Sequence, residues 1–494
     1  MNNYLNYQQY KTSLQKIADI KYASAVLQWD QETYLPKKGN DARGRQIATL
    51  NELAHEQFTD SKLGELMNEL LLRDKLNDRE KRNVTLSLED YNKSKKLPSS
   101  FVRKMSETIN KSFHAWVQAR RQNSFSIFET PIKEIIELKK QEADLLGYED
   151  HPYNALMNDY DKGLTTTIVD KLFSELKPQL SSVLEKITAQ AEPDDSMLRR
   201  HFDKTAQWNA GIEILKRMHF DFDAGRQDVS EHPFTTNFSS KDVRVTTRVD
   251  ENDFSNMLWS CIHEGGHALY EQGLPNEEYG LPLGEYCSLS IHESQSRLWE
   301  NCIGRGLPFW QHNYVLLQKN FPEQFKDKTV EEFYAAINKV KPSLIRTEAD
   351  EVTYHFHIMI RYEIEKLLIE GSITAKDIPT YWNEHYKKNL GITVQDDVHG
   401  CLQDVHWSHG SFGYFPTYTV GSLYAAQFYI SIKKLYPSIE NLISGGDTAK
   451  IWDWLKTNIY LHGRYFNSEE LCNQATGKEL DPKDFLYYLQ SKYL

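Results

Sequence analysis

DFSNMLWSCIHEGGHALYEQG, residues 253–273, is the segment from which the rest of this 494-residue sequence is best understood. Its length and apolar residues predict a helix that runs from about Asp253 to Gln272, where Gly273 and Pro275 stop it. Within it, His263 and His267 are four residues apart, so they share one helix face with Cβ atoms about 5–6 Å apart. Two imidazoles placed in this way can converge on one tetrahedral metal ion.

Glu264 lies beside these histidines, where a carboxylate can reach a water on the open position of a metal. A chance His-Glu-x-x-His on a solvated helix is the alternative. The apolar residues 257–262 argue against it, because they indicate a buried helix whose histidines need partners. Gly265 and Gly266 each cost a helix about 1 kcal/mol relative to alanine, so we expect substrate or another backbone to approach closely there.

A third ligand is expected outside this helix, because a catalytic zinc site usually has three protein ligands and a water. The segment SIHESQ, residues 290–295, begins another helix, and its Glu293 lies 26 residues beyond His267. That is enough chain to turn and return alongside the first helix. His292 is the rival ligand and Glu300 a weaker one. Adjacent helical residues point about 100° apart, so His292 and Glu293 cannot both face the ion, and Glu293 is favoured.

Helical periodicity dominates the remaining chain, while glycine and proline mostly fall between the periodic segments. Residues 242–249 are the exception: branched apolar and polar residues alternate, which predicts a strand of a small sheet, followed by Asp250 as a helix cap. No linker, low-complexity segment or repeat is found, so we expect one mostly α-helical domain over residues 1–494. Further helices are predicted at residues 2–26, 41–56, 62–73, 129–145, 165–190, 204–219, 329–341, 350–371, 422–436 and 450–461.

Composition is typical of a folded protein from a reducing compartment. Apolar residues make up 40% and charged residues 26% of the sequence, which is ordinary for globular proteins. The formal net charge of −12 argues against nucleic acid or an anionic membrane surface as the main partner. Five widely spaced cysteines predict no disulfide framework. Neither a signal peptide nor an apolar run of about 18 residues is found, so we expect a cytoplasmic protein.

Segments throughout the chain resemble motifs of the carboxypeptidase Taq family, also called thermostable carboxypeptidase 1. The resemblance extends over essentially the whole chain, and no motif position departs from the family pattern. The matching segments are WDQETYLP (29–36), HPF (232–234), DVRVT (242–246), HEGGH (263–267), HESQ (292–295), IRTEAD (345–350), GCLQDVHW (400–407) and ATGKE (475–479).

The resemblance implies a mostly helical, saddle-shaped fold related to neurolysin and angiotensin-converting enzyme. It implies a deep groove and usually a homodimer. With the strand predicted at residues 242–249, we expect a small antiparallel β-sheet next to the zinc helix, and residues 1–120 are a candidate lid over the groove. The implied activity is zinc-dependent removal of single residues from free peptide C-termini, with broad specificity and poor cleavage after proline, and Co²⁺ can substitute for zinc. The ligand roles carry over onto His263, His267 and Glu293, and the role of base onto Glu264.

An oxyanion that forms during hydrolysis needs a hydrogen-bond donor besides the metal. His406, Tyr414 and Tyr418 are the candidates, because related helical peptidases place a tyrosine and a histidine there. The alternative for all three is ordinary core packing with local hydrogen bonds.

Recognition of a free C-terminal carboxylate favours arginine, which can bind it through two nitrogens. Arg346 is the first choice. Arg244, on the predicted strand, is the second, although it alternatively braces that strand against an acid. His232 either lines a substrate subsite or fixes a loop.

Two other functions compete with a carboxypeptidase. An oligopeptidase that cuts internal bonds would share the zinc site and the helical fold but would need no carboxylate anchor, so peptides with an amidated C-terminus separate the two. A non-catalytic helical binding protein would have no chemical need for Glu264 or for three metal ligands.

Overall fold

The chain is mostly helical, as predicted, in a computed structural model that describes residues 2–72 and 75–494. Its α-helices are α1 (Asn2–Thr33), α2 (Asn40–Phe58), α3 (Ser61–Leu71), α4 (Asp78–Lys96), α5 (Ser99–Gln122), α6 (Ser126–Leu146), α7 (Pro152–Met157), α8 (Thr166–Thr188), α9 (Lys204–Arg217), α10 (Phe254–Gly273), α11 (Leu289–Arg297), α12 (Leu307–Asn320), α13 (Pro322–Phe325), α14 (Val330–Ile337), α15 (Tyr354–Glu370), α16 (Ile378–Leu390), α17 (Pro416–Leu435), α18 (Ile439–Ser444), α19 (Ala449–Asn458), α20 (Ser468–Thr476) and α21 (Pro482–Tyr493). The strands are β1 (Gly225–Val229), β2 (Thr235–Ser239) and β3 (Asp242–Thr247). None of the helices in the described residues has the length and apolarity needed to cross a bilayer.

Every predicted helical segment is helical in the structure, although the ends differ. Arg73, the last residue of predicted helix 62–73, lies outside the described residues. Helix α15 begins later than predicted, because the Asp350 carboxylate accepts hydrogen bonds from the backbone N–H groups of Val352 and Thr353 at 2.9 Å and holds a turn. The sequence patterns do not predict α4, α5, α7, α12, α13, α16, α18, α20 or α21.

The predicted strand at residues 242–249 is confirmed as β3, the central strand of a three-stranded sheet with the order β1-β3-β2. The prediction of an antiparallel sheet is wrong for one edge, because β1 runs parallel to β3 while β2 runs antiparallel. A short turn joins β2 to β3, which is typical of antiparallel neighbours. Strand β1 precedes both in the chain and pairs with the opposite edge of β3. The sheet packs against α10 through β2 and β3, so it does lie next to the predicted zinc helix.

The chain forms two compact units. Unit 1 comprises Met1–Ser94, Pro193–Ile337 and Tyr424–Leu480, and it contains the sheet, α10 and α11. Unit 2 comprises Lys95–Glu192, Asn338–Leu423 and Asp481–Leu494. The single domain over residues 1–494, the saddle shape with its groove and the lid over residues 1–120 stay predictions.

Helix α10 is fixed at its first turn. The Asp253 carboxylate accepts a hydrogen bond from the backbone N–H of Ser255 at 3.0 Å, so Asp253 rather than the predicted Asp250 caps the helix. The next residue, Phe254, stacks on Phe202 with ring centroids 4.9 Å apart and meets Phe321 at 5.2 Å. This aromatic cluster anchors the start of the helix that carries the two predicted ligands.

The adjacent glycines Gly265 and Gly266 of α10 allow other helices to come close, as their cost to the helix suggested. A Cβ atom on Gly266 would lie 2.7 Å from both the carbonyl oxygen of Gln295 and the Cα of Ser296, on α11. A Cβ atom on Gly265 would lie 2.7 Å from the side chain of Leu215, on α9. Backbone contact with α11 therefore explains Gly266, and side-chain packing against α9 explains Gly265.

Candidate active site

Helices α10 and α11 bring His263, His267 and Glu293 together in unit 1. The Glu293 Oε2 atom lies 3.8 Å from His263 Nε2 and 3.4 Å from His267 Nε2. One ligand atom from each of the three residues lies within 4.8 Å of the other two. Ligands about 2.0–2.2 Å from a tetrahedral zinc ion are separated by similar distances, so the three side chains fit such an ion.

Each imidazole is oriented by a partner on its other nitrogen. His263 Nδ1 donates to Glu300 Oε2 at 2.9 Å, and His267 Nδ1 donates to the carbonyl oxygen of His292 at 3.0 Å. Such contacts fix the tautomer of metal-binding histidines and leave Nε2 as the acceptor. Both Nε2 atoms therefore present lone pairs on the side of Glu293.

The rival ligands have other partners. The His292 ring stacks on His267 with centroids 4.4 Å apart, and its Nε2 pairs with Glu271 Oε1 at 2.8 Å. Glu300 lies on a π-helical turn, Leu298–Gly304, and its carboxylate meets the Nδ1 side of His263. Among the described residues, the group that could hold a metal consists of His263, His267 and Glu293, and the ligand assignment is proposed below.

Unbalanced negative charge surrounds these residues. Four carboxylates are buried here and form what we term the carboxylate cluster: Glu264, Glu271, Glu293 and Glu300. Within the described part of the chain, Arg297 and Arg305 are the guanidinium groups that pair with them. Metal binding through Nε2 requires neutral imidazoles, and in that state two negative charges remain, which is the charge that a divalent cation would balance.

The pKa values follow from burial and from these charges. Burial raises the pKa of the Glu293 carboxyl, but Arg297 and His263 outweigh that effect and hold this pKa well below its ordinary value. Burial, with nearby His292, lowers the pKa of His267 to about 3, so the imidazole is neutral at pH 7. Burial also raises the pKa of the Glu264 carboxyl above its ordinary value.

Glu264 is buried beside the two histidines and is held by the sheet. The Thr235 hydroxyl, on β2, lies 2.6 Å from Glu264 Oε2 and 2.9 Å from the Glu264 carbonyl oxygen. Thr235 therefore engages one carboxylate oxygen, and Oε1 has no hydrogen-bond partner among the described residues. Thr235 could not be identified from the sequence, because its contact with Glu264 depends on how a separate strand packs against α10.

In unit 2, Arg346 lies in a buried network that we term the arginine cluster: Arg346, Arg361, Asp404, Gln403 and Tyr354. The two oxygens of Asp404 are divided between Arg346 Nε at 2.8 Å and Arg361 Nε at 2.6 Å. Arg346 Nη1 donates to the Tyr354 hydroxyl at 3.1 Å. Burial works against ionisation of Asp404, but Arg361 and Arg346 hold its pKa well below the ordinary value. Two guanidinium groups share one carboxylate, so one positive charge remains uncompensated.

His406 and Tyr418 also lie in unit 2, joined by a contact of 3.2 Å between His406 Nε2 and the Tyr418 hydroxyl. Burial and the charge of Arg346 lower the pKa of His406 to about 3, so its imidazole is neutral at pH 7. The Arg346 guanidinium carbon lies 5.1 Å from the Tyr418 ring centroid. The Tyr414 ring packs 5.4 Å from His406 and 5.2 Å from Tyr418. The predicted Arg346, His406, Tyr414 and Tyr418 thus form one group within unit 2.

The remaining two candidates lie on or near the sheet in unit 1. Arg244 forms a two-nitrogen pair with Asp242, both contacts at 2.9 Å, and its guanidinium lies 4.3 Å from the Trp29 ring centroid. These contacts match the alternative in which Arg244 braces the strand. His232 is exposed in the loop between β1 and β2, where its carbonyl oxygen accepts from the Ser230 hydroxyl at 2.7 Å.

The family comparison agrees with the motifs. A family model, carboxypeptidase Taq (M32) metallopeptidase, matches residues 9–493. Carboxypeptidase 1 of Bacillus subtilis (strain 168) is 38% identical over 482 residues, which cover 97% of this chain and 96% of that protein. Two solved structures each cover 99% of both chains with a TM-score of 0.97: a protein designated CHT, 55% identical, and the M32 carboxypeptidase from Deinococcus radiodurans R1, 37% identical.

Proposed function

Because this chain belongs to the carboxypeptidase Taq (M32) family and is a metallocarboxypeptidase, we propose that it removes single residues from free peptide C-termini with one zinc ion. We propose His263, His267 and Glu293 as the zinc ligands. The observation that carries this assignment is the convergence of both Nε2 atoms on Glu293 Oε2, at 3.8 and 3.4 Å. Its two imidazoles and one carboxylate are a donor set that zinc accepts, with a fourth position left for water or substrate.

Glu264 is the proposed general base. A zinc ion bound at this site would polarise the scissile carbonyl and lower the pKa of a water molecule. The Glu264 carboxylate would take the proton of the attacking water and pass it to the leaving amine. The contact with Thr235 supports this role, because it fixes Oε2 at 2.6 Å and leaves Oε1 for the proton.

The arginine cluster is the proposed receptor for the terminal carboxylate of the peptide. Its single uncompensated positive charge is complementary to one carboxylate. Arg346 supplies the contact, because Arg346 Nη2 has no hydrogen-bond partner among the described residues while Nε serves Asp404. A substrate fork would therefore use Nη1 and Nη2, with Nη1 shared between the carboxylate and Tyr354.

Tyr418 and His406 are the proposed donors to the oxyanion. A neutral His406 can donate through Nε2–H to the Tyr418 hydroxyl oxygen, and the Tyr418 O–H is the proposed donor to an oxyanion. Tyr414 packs against both rings and is proposed to contact the substrate side chain. Arg244 and His232 stay weaker substrate-binding candidates, and the contacts of Arg244 with Asp242 support a bracing role.

Further properties are proposed from the family resemblance alone. They are broad side-chain specificity with poor cleavage at proline, replacement of zinc by Co²⁺, a homodimer and a cytoplasmic location. Purified protein tests the first three through product analysis, metal exchange and light scattering.

One experiment tests the activity itself: mass spectrometry of matched peptides with free or amidated C-termini, before and after chelation and zinc restoration. We expect a ladder of single-residue losses from the free acids, its disappearance with chelator and its return with zinc. Internal cleavage of the amidated peptides at a similar rate would identify an oligopeptidase instead. Absence of cleavage in the zinc-loaded protein would favour a binding protein.

Metal content tests the ligand set. Glu293→Ala is expected to reduce bound zinc, whereas His292→Ala is expected to retain the metal with altered activity, because the His292 side chain pairs with Glu271. Atomic absorption on both variants decides, and zinc loss only from His292→Ala would reverse the assignment.

A further inference from the structure

Arg297, the last residue of α11, contacts two carboxylates of the carboxylate cluster at once. Its Nε donates to Glu293 Oε1 at 2.7 Å, and its Nη1 donates to Glu300 Oε2 at 3.3 Å. Glu300 Oε2 also accepts from His263 Nδ1 at 2.9 Å. The Arg297 guanidinium thus contacts one proposed ligand, Glu293, directly and contacts a second, His263, through Glu300.

The two oxygens of Glu293 have different partners: Oε1 accepts from the charged guanidinium of Arg297, and Oε2 accepts from the neutral hydroxyl of Ser296 at 3.2 Å. Oε2 lies 3.8 Å from His263 Nε2 and 3.4 Å from His267 Nε2, on the side where the ligand atoms converge. Oε1 is taken by the Arg297 Nε at 2.7 Å. A carboxylate can bind a metal through one or both oxygens, and this hydrogen bond selects one.

The charge of Arg297, like its hydrogen bond to Oε1, reduces what Glu293 donates to a bound cation. A guanidinium paired with a carboxylate draws electron density from it, so Glu293 donates less charge to a bound cation. A cation that receives less charge from its ligands polarises a carbonyl more strongly. Binding through one oxygen also leaves a coordination position available.

We propose that Arg297 is a positioning residue that keeps Glu293 a one-oxygen ligand and thereby reserves a coordination position for the substrate. The inference rests on the proposed zinc site and deepens it. Loss of the guanidinium would free Glu293 Oε1, and a second oxygen contact would bind the metal more tightly while reducing turnover. If Arg297 only stabilised the local structure, its loss would instead weaken metal binding, because a disordered Glu293 would bind the ion less tightly.

The chain offers a matched control in Arg305, which directly follows the π-helical turn Leu298–Gly304, whereas Arg297 directly precedes it. Its Nη2 lies 3.3 Å from Glu300 Oε1, its Nη1 donates to the Ile337 carbonyl oxygen at 2.6 Å, and its guanidinium carbon lies 3.7 Å from the Trp259 ring centroid. Arg305 therefore contributes the same charge to the carboxylate cluster through Glu300, and its contacts described above are with Glu300, Ile337 and Trp259.

The test uses Co²⁺-substituted protein, because the visible absorption of Co²⁺ weakens as its coordination number rises. In Arg297→Met we expect severalfold weaker absorption and about tenfold slower release of Co²⁺ to a chelator, since a nearby positive charge is lost. Peptide hydrolysis should fall roughly 10- to 100-fold.

Arg297→Lys keeps the charge but cannot span both carboxylates, so its spectrum should lie between those of Arg297→Met and wild type. Arg305→Met should retain the wild-type spectrum.

A wild-type spectrum or faster metal release in Arg297→Met would overturn the inference. If Arg297→Met does not fold, Arg297→Lys decides, and an unchanged spectrum in that variant overturns the inference. Failure of the underlying zinc site looks different: wild-type protein would not bind one Co²⁺ per chain, or Glu293→Ala would bind it as well as wild type.

Discussion

The carboxylate cluster in unit 1 and the arginine cluster in unit 2 differ in the sign of the charge that each leaves uncompensated. With the imidazoles in the neutral form that binds a metal, four buried carboxylates and two arginines leave two negative charges, and two buried arginines with one aspartate leave one positive charge. An uncompensated buried charge destabilises a fold, so each imbalance needs a ligand to explain it. The first matches a divalent cation, and the second matches a single carboxylate.

The two clusters also differ in how their members are held. Glu293 and the histidines lie on two helices in backbone contact at Gly266, whereas Arg346 lies on a single turn, Arg346–Glu348, and depends on side-chain partners. A site for a metal needs fixed donor positions, because zinc tolerates little variation in ligand distance. A site for a peptide end needs one strong ion pair, which a side-chain network supplies. The comparison predicts that variants of the two clusters will affect different measurements.

The largest expected effect comes from Glu264→Gln. The amide cannot accept a proton, so hydrolysis should fall about 10³-fold or more, while zinc content stays at the wild-type level. Glu271→Gln is the matched control, because it removes another buried carboxylate that pairs with His292 rather than with a proposed ligand. The control should lose far less activity. Near wild-type turnover in zinc-loaded Glu264→Gln would remove the base from the mechanism.

Arg346→Ala should affect substrate recognition and leave zinc content unchanged. Loss of a charge-assisted pair with the terminal carboxylate should lower kcat/KM for free-acid peptides by about a hundredfold. Arg346→Lys should recover only part, because an ammonium group cannot reproduce the planar fork.

Slow cleavage of amidated peptides is the control for Arg346, since these substrates offer no carboxylate and should be cut equally by variant and wild type. If Arg346→Ala cleaves free-acid peptides as well as wild type does, the anchor lies elsewhere and Arg244 is tested next.

Gly266→Ala should weaken zinc binding without touching a ligand. The added methyl would lie 2.7 Å from the Gln295 carbonyl oxygen and would push α11, with Glu293, away from α10. Overpacking of this kind costs about 1–3 kcal/mol, so zinc affinity should fall about tenfold in a chelator competition. Gly44→Ala, in α2 with nothing within 4 Å of the new atom, is the control and should stabilise the protein by about 0.5–1 kcal/mol. Equal zinc affinity in both variants would contradict this role of Gly266.

The smallest effect concerns Glu365, a buried carboxylate of unit 2 that pairs with no arginine among the described residues. It accepts hydrogen bonds from the Tyr153 hydroxyl at 2.5 Å and from Trp407 Nε1 and the Gly413 N–H at 2.8 Å. Burial outweighs these bonds and raises the pKa of Glu365 to about 7.

A raised acid pKa gives stability that is present below about pH 4.5 and is lost as the pH rises through 7. Between pH 5 and pH 8, the free energy of unfolding should therefore fall by about 2 kcal/mol more in wild type than in Glu365→Gln. Denaturant titrations at the two pH values measure this difference, and equal pH dependence in the two proteins would exclude the effect.

Local spacing in the sequence was sufficient to predict the helix α10 and the proximity of His263 and His267, and it is also the reason that Glu293 rather than His292 is the proposed ligand. Each of these follows from the angles of one helix. Glu293, Arg297 and Glu300 also follow helical spacing, at i, i+4 and i+7, so their shared face was visible in the sequence. What was not visible is that Glu300 meets His263 from a π-helical turn.

Contacts between separate elements could not be predicted. The pairing of Thr235 with Glu264 depends on the register of a strand against a helix, and the pairing of Arg346 with Asp404 joins residues 58 positions apart. The parallel direction of β1 likewise depends on which edge of β3 it reaches, which alternation along one strand does not encode.

The contact at Gly266 has a consequence for metal exchange. Backbone packing of α10 on α11 sets the separation of the histidines from Glu293, so folding has already removed most of the conformational freedom of the ligands. A metal ion that binds such a site loses little free energy to ordering it, unlike the ion of a zinc finger, which must fold its own domain. Protein stripped of metal should keep its helices and recover the ion at the rate of ligand exchange, without a refolding step.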